Sequence, residues 1–338
     1  MSRTLLKFTS LATIALFALT ACGTSNESDS KPSSSSSMSS SASQSEKKNI
    51  SIEDNYGKHD LSFPIENVAV TDNRSFEILN QWGITPVAAP VALIPSTLED
   101  LKNNKEIVDI GTHREPNLES LVAAEPSLII NGQRFSQHYK DIKELNPDAT
   151  ILEFEPREGK PLDEELKRQT LALGEVFQKE DEAQKLVDDF DKALERAKKA
   201  YDPSKKVMAV NVSGGEIGYI APGKGRFFGP VQELVGMTPA LEVKGSSDNH
   251  EGDDVSVEAI AKANPDWLLV LDRDAAVSSG KSAQPAETVI NNSEALKNVS
   301  AIKDKHIVLA PKDTYTNENI ITYTEVLNQI ADAFEKSK

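Results

Sequence analysis

The chain has a single cysteine, Cys22, among 338 residues. With one cysteine it can form no internal disulfide, so the folded part has to be held together by burial of apolar side chains. Basic residues are also in deficit, with 37 Lys and Arg against 53 Asp and Glu and a formal net charge of −16. Because an acidic surface repels nucleic acid and anionic lipid, neither is expected as a partner.

Recognisable enzyme and metal-site motifs are missing as well. The sequence contains no G-x-S-x-G nucleophile elbow and no H-E-x-x-H motif. Its five histidines are scattered and lack the spacing of metal ligands. These absences argue against an enzyme and against an intrinsic cofactor. Carboxylates are plentiful, so an exported hydrolase remains the alternative on composition.

The amino terminus has the features of an export signal. Arg3 and Lys7 precede a short apolar run at residues 11–19. A helix that spans a bilayer needs about 20 apolar residues, so this run fits a signal peptide, predicted at residues 1–21.

The segment after the signal predicts an anchor and a tether. Leu19-Thr20-Ala21-Cys22 resembles the lipobox of bacterial lipoproteins, which implies lipidation of Cys22 on the extracytoplasmic face of the cell membrane. An ordinary secretory signal with a chance cysteine is the alternative. The rest of residues 22–48 is rich in Ser and Lys and has too little apolar surface to fold, so it predicts a flexible tether.

Beyond residue 49, short apolar strands alternate with helical stretches, which is typical of α/β layers with parallel sheets. The predicted strands are residues 68–71, 127–130, 207–212, 267–271 and 307–309. A weak alternation around Tyr56-Gly57-Lys58 predicts a hairpin within residues 49–63.

One long helix is predicted at residues 180–202. Its apolar side chains recur on one face, and Asp202-Pro203 ends it. The apolar positions are Ala183, Leu186, Val187, Phe190, Ala193, Leu194, Ala197 and Tyr201. At about 1.5 Å per residue, such a helix is about 34 Å long. It could join two lobes or pack along one domain.

An internal repeat favours two lobes. Residues 115–134 (EPNLESLVAAEPSLIINGQR) align without gaps with residues 254–273 (DVSVEAIAKANPDWLLVLDR), at an offset of 139. The matched pairs include Glu119 with Glu258, Leu121 with Ile260, Ala124 with Ala263, Pro126 with Pro265, and Arg134 with Arg273. Each copy predicts a short helix, a proline, a buried strand and an arginine. We infer an N-terminal lobe at residues 49–179 and a C-terminal lobe at residues 203–338.

Candidate ligand-binding residues follow the predicted strands. Ligands of open α/β sheets bind beyond the carboxyl ends of the strands. Arg134 and Arg273 lie just past matching strands, Arg226 lies in a glycine-rich loop, and Tyr315 follows the last strand. His250 lies in a polar loop before the second repeat copy. Taken singly, each arginine could equally form a surface ion pair, and a lone loop histidine is usually only solvated.

The whole pattern resembles the class III substrate-binding proteins, which serve importers of ferric siderophores, haem and cobalamin. The resemblance rests on Glu115-Pro116-Asn117-Leu118-Glu119, on Pro126 and the strand after it, and on Asn264-Pro265-Asp266. It implies an α/β fold of two Rossmann-like lobes joined by a single long interlobe helix. It also implies a monomer that delivers its ligand to an ABC permease.

Three segments resemble the three-arginine pocket of the catecholate-siderophore binders in that family. They are Gly132-Gln133-Arg134, Gly225-Arg226-Phe227 and Leu271-Asp272-Arg273. The resemblance implies a ferric catecholate siderophore as ligand, with Tyr315 and His250 as iron ligands when the siderophore leaves sites open. The residues that flank Tyr315 depart from the family pattern. Phe227 would add an apolar wall.

The chemistry of this ligand is consistent with arginine. Ferric iron favours oxygen donors, and its catecholate complexes are anionic. Arginine is always charged and stacks on aromatic rings. Haem, cobalamin and ferric hydroxamates remain alternatives within the same fold, and an adhesin remains an alternative outside it.

Glu119 and Glu258 occupy equal positions in the two repeat copies. In the family that the sequence resembles, such paired carboxylates dock onto the permease. The alternative is a local role, because a carboxylate in the first turn of a helix is stabilised by the helix dipole.

Overall fold

The computed structural model describes residues 49–247, 252–277 and 284–338. In chain order the strands are β1 (Asn49–Glu53), β2 (Lys58–Ser62), β3 (Val68–Val70), β4 (Ala88–Ala89), β5 (Val108–Asp109), β6 (Gly111–Thr112), β7 (Glu115–Pro116), β8 (Leu128–Asn131), β9 (Thr150–Glu153), β10 (Lys206–Ser213), β11 (Glu216–Ile220), β12 (Thr238–Pro239), β13 (Trp267–Asp272) and β14 (Ile307–Leu309).

The α-helices are α1 (Phe76–Gln81), α2 (Glu99–Lys102), α3 (Leu118–Ala123), α4 (Tyr139–Leu145), α5 (Leu162–Val176), α6 (Glu180–Ala200), α7 (Phe228–Val235), α8 (Val257–Ala263), α9 (Arg273–Val277), α10 (Ala286–Asn292), α11 (Ser300–Lys303) and α12 (Ile320–Lys336). Short 3₁₀ helices cover Val91–Leu93 and Gln133–His138. Within the described residues, none of these helices is long and apolar enough to cross a lipid bilayer.

The N-terminal lobe is built on a parallel sheet with strand order β5-β4-β3-β8-β9. Its central strands β3 and β8 are fully buried, as expected for a sheet that is covered on both faces. The predicted hairpin is confirmed, because β1 pairs antiparallel with β2 around the turn that contains Tyr56 and Gly57.

The C-terminal lobe has a second sheet, with strand order β11-β10-β13-β14 and with β12 pairing at the start of β10. The pairs β10–β13 and β13–β14 are parallel, whereas β11 returns antiparallel to β10. Parallel strands place their carboxyl ends at one edge of the sheet, so the loops after β10, β13 and β14 begin on the same side of this lobe.

The repeat inferred from the sequence extends further in the structure. Val68 of β3 pairs with Leu128 of β8, and Val207 of β10 pairs with Trp267 of β13, again at an offset of 139. In both copies the residue before the matched proline has a φ of 46°, Glu125 in one and Asn264 in the other. This left-handed conformation ends the helix and turns the chain into the strand.

Helix α6 joins the two lobes and is two residues shorter than predicted. Its predicted apolar face is buried, except for the half-buried Leu186, and it packs against α5 and α12. Acidic residues in its first turn and Lys198 and Lys199 in its last turn complement the helix dipole. The molecule is therefore an α/β protein of two Rossmann-like lobes joined by a single long helix, as the resemblance implies.

Candidate functional site

Three arginine side chains surround the ring of Tyr315. The guanidinium carbon of Arg226 lies 4.4 Å from the ring centroid, that of Arg273 5.5 Å, and that of Arg134 5.8 Å. All three distances are within the range of a cation–π contact. The structure thus brings together three arginines and a tyrosine from four separate parts of the chain.

The ends of equivalent strands position two of these arginines. Arg134 lies in the 3₁₀ helix that follows β8, and Arg273 is the first residue of α9, directly after β13. Since β8 and β13 occupy matching places in the two sheets, one arginine comes from each lobe.

Arg226 is positioned by a tight glycine-containing loop before α7. A Cβ atom on Gly225 would lie 2.6 Å from Cγ2 of Ile220 and 2.7 Å from the backbone nitrogen of Ala221. A Cβ on Gly229 would lie 2.6 Å from the carbonyl oxygen of Ala221. Only glycine lets the chain approach this closely, so these glycines hold the loop that presents Arg226.

Protein acceptors fix the orientation of the Arg226 side chain. Its Nε donates to Oε1 of Glu318 at 2.8 Å, and its Nη2 donates to the carbonyl oxygen of Tyr315 at 3.1 Å. The guanidinium of Arg226 therefore lies against the Tyr315 ring and is held from two further sides.

The other two arginines keep donors without acceptors. Nη1 of Arg273 donates to Oγ of Ser213 at 3.0 Å, but its buried Nε has no partner among the described residues. The same holds for the buried Nε and Nη2 of Arg134. Burial and the nearby charge of Arg226 lower the pKa of the Arg134 guanidinium. Buried cationic donors without acceptors are costly unless an anionic ligand completes them.

A chain of alternating charges connects this cluster to the N-terminal lobe. Nη2 of Arg74 lies 3.5 Å from Oε2 of Glu318, and Nη1 of Arg74 lies 2.8 Å from Oε1 of Glu155. Burial would lower the pKa of Arg74, but the charges of Glu155 and Glu318 outweigh it and raise that pKa. Sequence analysis missed Glu318 and Glu155, because no local pattern links residues so far apart in the chain.

The segment that carries Tyr315, residues 313–319, is buried between the lobes and is held by side chains of the N-terminal lobe. Oε2 of Glu77 accepts hydrogen bonds of 2.8 Å from both Asn317 and Asn319. Oγ1 of Thr97 donates to Asp313 at 2.5 Å. The site's central tyrosine thus belongs in sequence to one lobe and is fixed by the other.

The remaining predicted residues lie elsewhere. Phe227 is 2% exposed, and its ring stacks on Tyr323 with a centroid distance of 4.3 Å. Its side chain thus packs into the core next to Arg226, and its role as an apolar wall of the site stays a prediction. The φ of Phe227 is 49°, a left-handed conformation that the sequence did not indicate. His250 lies outside the described residues, as do Cys22 and the tether.

Glu119 and Glu258 are both exposed, each in the first turn of its helix. The side chains of Asn117 and Ser256 cap these two helices by accepting hydrogen bonds from Ser120 and Ala259. The two carboxylates are therefore in equivalent local settings, one on each lobe.

The described part of the chain contains no group of three or more His, Cys, Asp or Glu side chains suited to hold a metal ion. The clustered polar groups at the lobe interface are instead arginines, a tyrosine and the carboxylates that pair with them.

Two known proteins of similar sequence are named for the ligands that they bind. The petrobactin-binding protein YclQ of Bacillus subtilis is 26% identical over 96% of this chain and 98% of its own. The ferric-anguibactin-binding protein FatB of Vibrio anguillarum is 28% identical over 85% of this chain and 88% of its own.

Solved structures support the same fold. The periplasmic catecholate-siderophore binding protein VctP of Vibrio cholerae is 24% identical, with a TM-score of 0.71 over 86% of this chain and 100% of its own. The family model described as "Periplasmic binding protein" matches residues 68–314, which contain both sheets and all three arginines. The chain therefore belongs to the periplasmic binding protein family.

Proposed function

We propose that the protein captures a ferric siderophore, of the catecholate type, outside the cytoplasm and delivers it to an ABC permease for iron uptake. The observation that carries this proposal is the cluster of Arg134, Arg226 and Arg273 around Tyr315, in which Arg134 and Arg273 keep buried donors without acceptors in the described structure. The names of the relatives YclQ and FatB, which refer to petrobactin and ferric anguibactin, support the same class of ligand.

The cluster suits an anionic aromatic chelate. The protein as a whole carries a negative net charge, whereas this site has a local excess of positive charge. An anionic ligand would neutralise that local charge. Catecholate oxygens accept hydrogen bonds from guanidinium groups, and catechol rings stack on them. A neutral hydroxamate complex would offer no anionic acceptor to the unsatisfied donors of Arg134 and Arg273.

Tyr315 is the proposed protein ligand for iron when the siderophore supplies fewer than six donors. A phenolate oxygen is a hard donor that suits ferric iron. His250 is the second proposed ligand.

Anchoring and delivery complete the proposal. Lipidation of Cys22 would hold the protein at the membrane, with residues 23–48 as a tether that lets the folded part reach the permease. Glu119 and Glu258 would dock the two lobes of a monomer onto basic pockets of that permease, because both side chains are exposed and equivalent.

The proposal is tested by quenching of intrinsic fluorescence in the purified protein. Trp82, Trp267 and the tyrosines supply the signal. The panel contains a ferric bis-catecholate, a ferric tris-catecholate, a ferric hydroxamate, haem and cobalamin. We expect submicromolar quenching by the catecholates alone.

Each other outcome has a defined meaning. Binding of haem, cobalamin or a hydroxamate alone would keep the transport role and overturn the arginine site. A preference for the bis-catecholate would support Tyr315 and His250 as iron ligands. Quenching by none of the five would overturn the proposed function.

A further inference from the structure

We propose that Glu318 is a positioning residue of this site, which orients Arg226 for the ligand although it carries the wrong charge to bind an anion. The inference deepens the proposed function and rests on it. Glu318 is 6% exposed and lies at the lobe interface, between Arg226 of the C-terminal lobe and Arg74 of the N-terminal lobe.

The geometry fixes the guanidinium plane of Arg226. One edge donates through Nε to Glu318 at 2.8 Å, and Nη2 donates to the carbonyl oxygen of Tyr315 at 3.1 Å. The guanidinium carbon lies 4.4 Å from the centroid of the Tyr315 ring. An arginine held in this way loses little side-chain entropy when a ligand binds, so its contribution to affinity is larger than that of a free arginine.

Glu318 is itself held in place. Its second carboxylate oxygen lies 3.5 Å from Nη2 of Arg74, whose Nη1 is fixed at 2.8 Å by Glu155. The next residue, Asn319, caps α12 by accepting hydrogen bonds from the backbone of Ile321 and Thr322. Contacts from both lobes therefore fix the position of the Glu318 carboxylate, and its hydrogen bond with Nε orients Arg226.

If Glu318 acts only through its charge, its removal should raise the affinity for an anionic ligand. If it orients Arg226, its removal should lower that affinity. A carboxylate beside three arginines weakens the attraction for an anionic chelate, so by Coulomb's law alone its removal raises affinity. If Glu318 orients Arg226, its removal lowers affinity, because Arg226 then samples rotamers that do not face the ligand. The sign of the change in affinity separates the two roles.

The experiment compares Glu318→Ala and Glu318→Gln for binding of a ferric tris-catecholate, each alone and in an Arg226→Ala background. Gln keeps an oxygen that can accept from Nε of Arg226 and removes the charge. We expect Glu318→Ala to weaken binding about three- to tenfold. We expect Glu318→Gln to bind as well as the wild type or better. In the Arg226→Ala background, Glu318→Ala should cause no further loss.

A control is Glu335→Ala, which removes a more exposed carboxylate that also pairs with an arginine, Arg196, between α6 and α12. It should leave the affinity unchanged. Tighter binding by Glu318→Ala, or an equal loss with and without Arg226, would overturn the inference.

A ligand-free measurement keeps the inference testable whatever the wild-type protein binds. Urea unfolding of the same variants forms a double-mutant cycle, in which we expect the Glu318 and Arg226 substitutions to be coupled. Additive losses of stability would contradict the geometry on which the inference rests. Failure of the wild-type protein to bind a ferric catecholate would instead count against the proposed function.

Discussion

Arg134 and Arg273 each keep a buried N–H donor that no acceptor in the described structure satisfies, whereas Arg226 donates to Glu318 and to the Tyr315 carbonyl. This difference indicates that the three arginines have different roles in the proposed site. Arg134 and Arg273 would donate hydrogen bonds to catecholate oxygens, and Arg226 would supply a fixed charge and a stacking surface.

Replacement of any of the three arginines should weaken binding of a ferric catecholate. We expect Arg134→Ala, Arg226→Ala and Arg273→Ala each to raise the dissociation constant at least about tenfold, or about 1.4 kcal/mol. Fluorescence titration measures the effect. Arg196→Ala is the control, because Arg196 pairs with Asp332 and Glu335 away from Tyr315. Wild-type affinity in all three variants would exclude the arginine site.

Asp72 gives a residue-scale prediction for stability. Burial raises the pKa of this carboxyl, Arg74 lowers it and the nearby Glu155 raises it, and together they bring the pKa to about 6. Since the pKa is higher in the folded state, the stabilisation from the protonated form is complete below about pH 4 and is lost as the pH rises through about 6.

We therefore expect the free energy of unfolding of Asp72→Asn, measured relative to the wild type, to be higher at pH 7 than at pH 4. Each pKa unit corresponds to about 1.4 kcal/mol. Asn keeps an acceptor for the backbone N–H of Arg74, which donates to Oδ1 at 3.0 Å. Its NH2 group replaces Oδ2, which accepts from Ser75 and Gln169, and that loss contributes equally at both pH values. Urea unfolding at several pH values gives the difference, with the exposed Asp141→Asn as control. A difference that stays constant from pH 4 to pH 7 would show that Asp72 ionises normally.

At the scale of elements, α3 and α8 present Glu119 and Glu258 at the same position of the first helical turn. Lysine at both positions should abolish siderophore-dependent iron uptake and leave ligand binding intact. The physical reason is that charge reversal repels a basic surface of the permease, while neither side chain lies in the arginine cluster.

The control for the helix dipole is Glu287→Lys. Glu287 is also an exposed first-turn carboxylate, in α10. It should share the small loss of helix stability, about 0.3–1 kcal/mol, and keep uptake. Loss of ligand binding in the Glu119 and Glu258 variant would assign these residues to the fold of the lobes instead of docking.

The five strands predicted from short apolar runs and the long helix α6 were found, because periodicity and Pro and Gly positions act over a few residues. Their ends differ from the predictions by at most two residues. Other elements, such as β9, β11, α5 and α12, were not predicted. The proximity of Arg134 and Arg273 was predictable from the repeat, because the alignment places each arginine just after the corresponding strand of its lobe. The pairing of Arg226 with Glu318 and of Glu318 with Arg74 had no such signal, since packing between distant segments creates it.

The packing of Phe227 had no sequence signal for a related reason. An aromatic residue beside Arg226 in a glycine-rich loop suggested a wall of the site, whereas the structure shows its ring stacked on Tyr323 and its φ positive. The backbone conformation of such a loop depends on close contacts like that of Gly225 with Ile220, which the sequence alone does not define.

At the scale of the whole molecule, one face of each sheet contributes to a shared apolar core, while the opposite face packs in a separate cluster of its own lobe. A single cluster of buried side chains includes Val70 and Ile130 from the N-terminal sheet and Val207 and Leu269 from the C-terminal sheet, together with the buried face of α6. Since neither lobe can lose its packing without exposing that shared layer, the lobes should be thermodynamically coupled.

We therefore expect one cooperative unfolding transition. Thermal unfolding followed by near-ultraviolet circular dichroism and by calorimetry should give coincident midpoints. The replacement Phe190→Ala, at a fully buried position of α6, should lower that midpoint for both probes together. Two separated transitions would indicate that the lobes unfold independently despite the shared core.

The buried segment 313–319 also links the integrity of the site to the separation of the two lobes. Side chains of the N-terminal lobe hold the part of the C-terminal lobe that carries Tyr315, through Glu77, Thr97 and Arg74. A pull that parts the lobes would therefore stretch these bonds directly, release Glu318 and let Arg226 swing away from the tyrosine ring. If Glu119 and Glu258 dock a permease as proposed, force applied through them that separates the lobes would weaken the binding of the ligand.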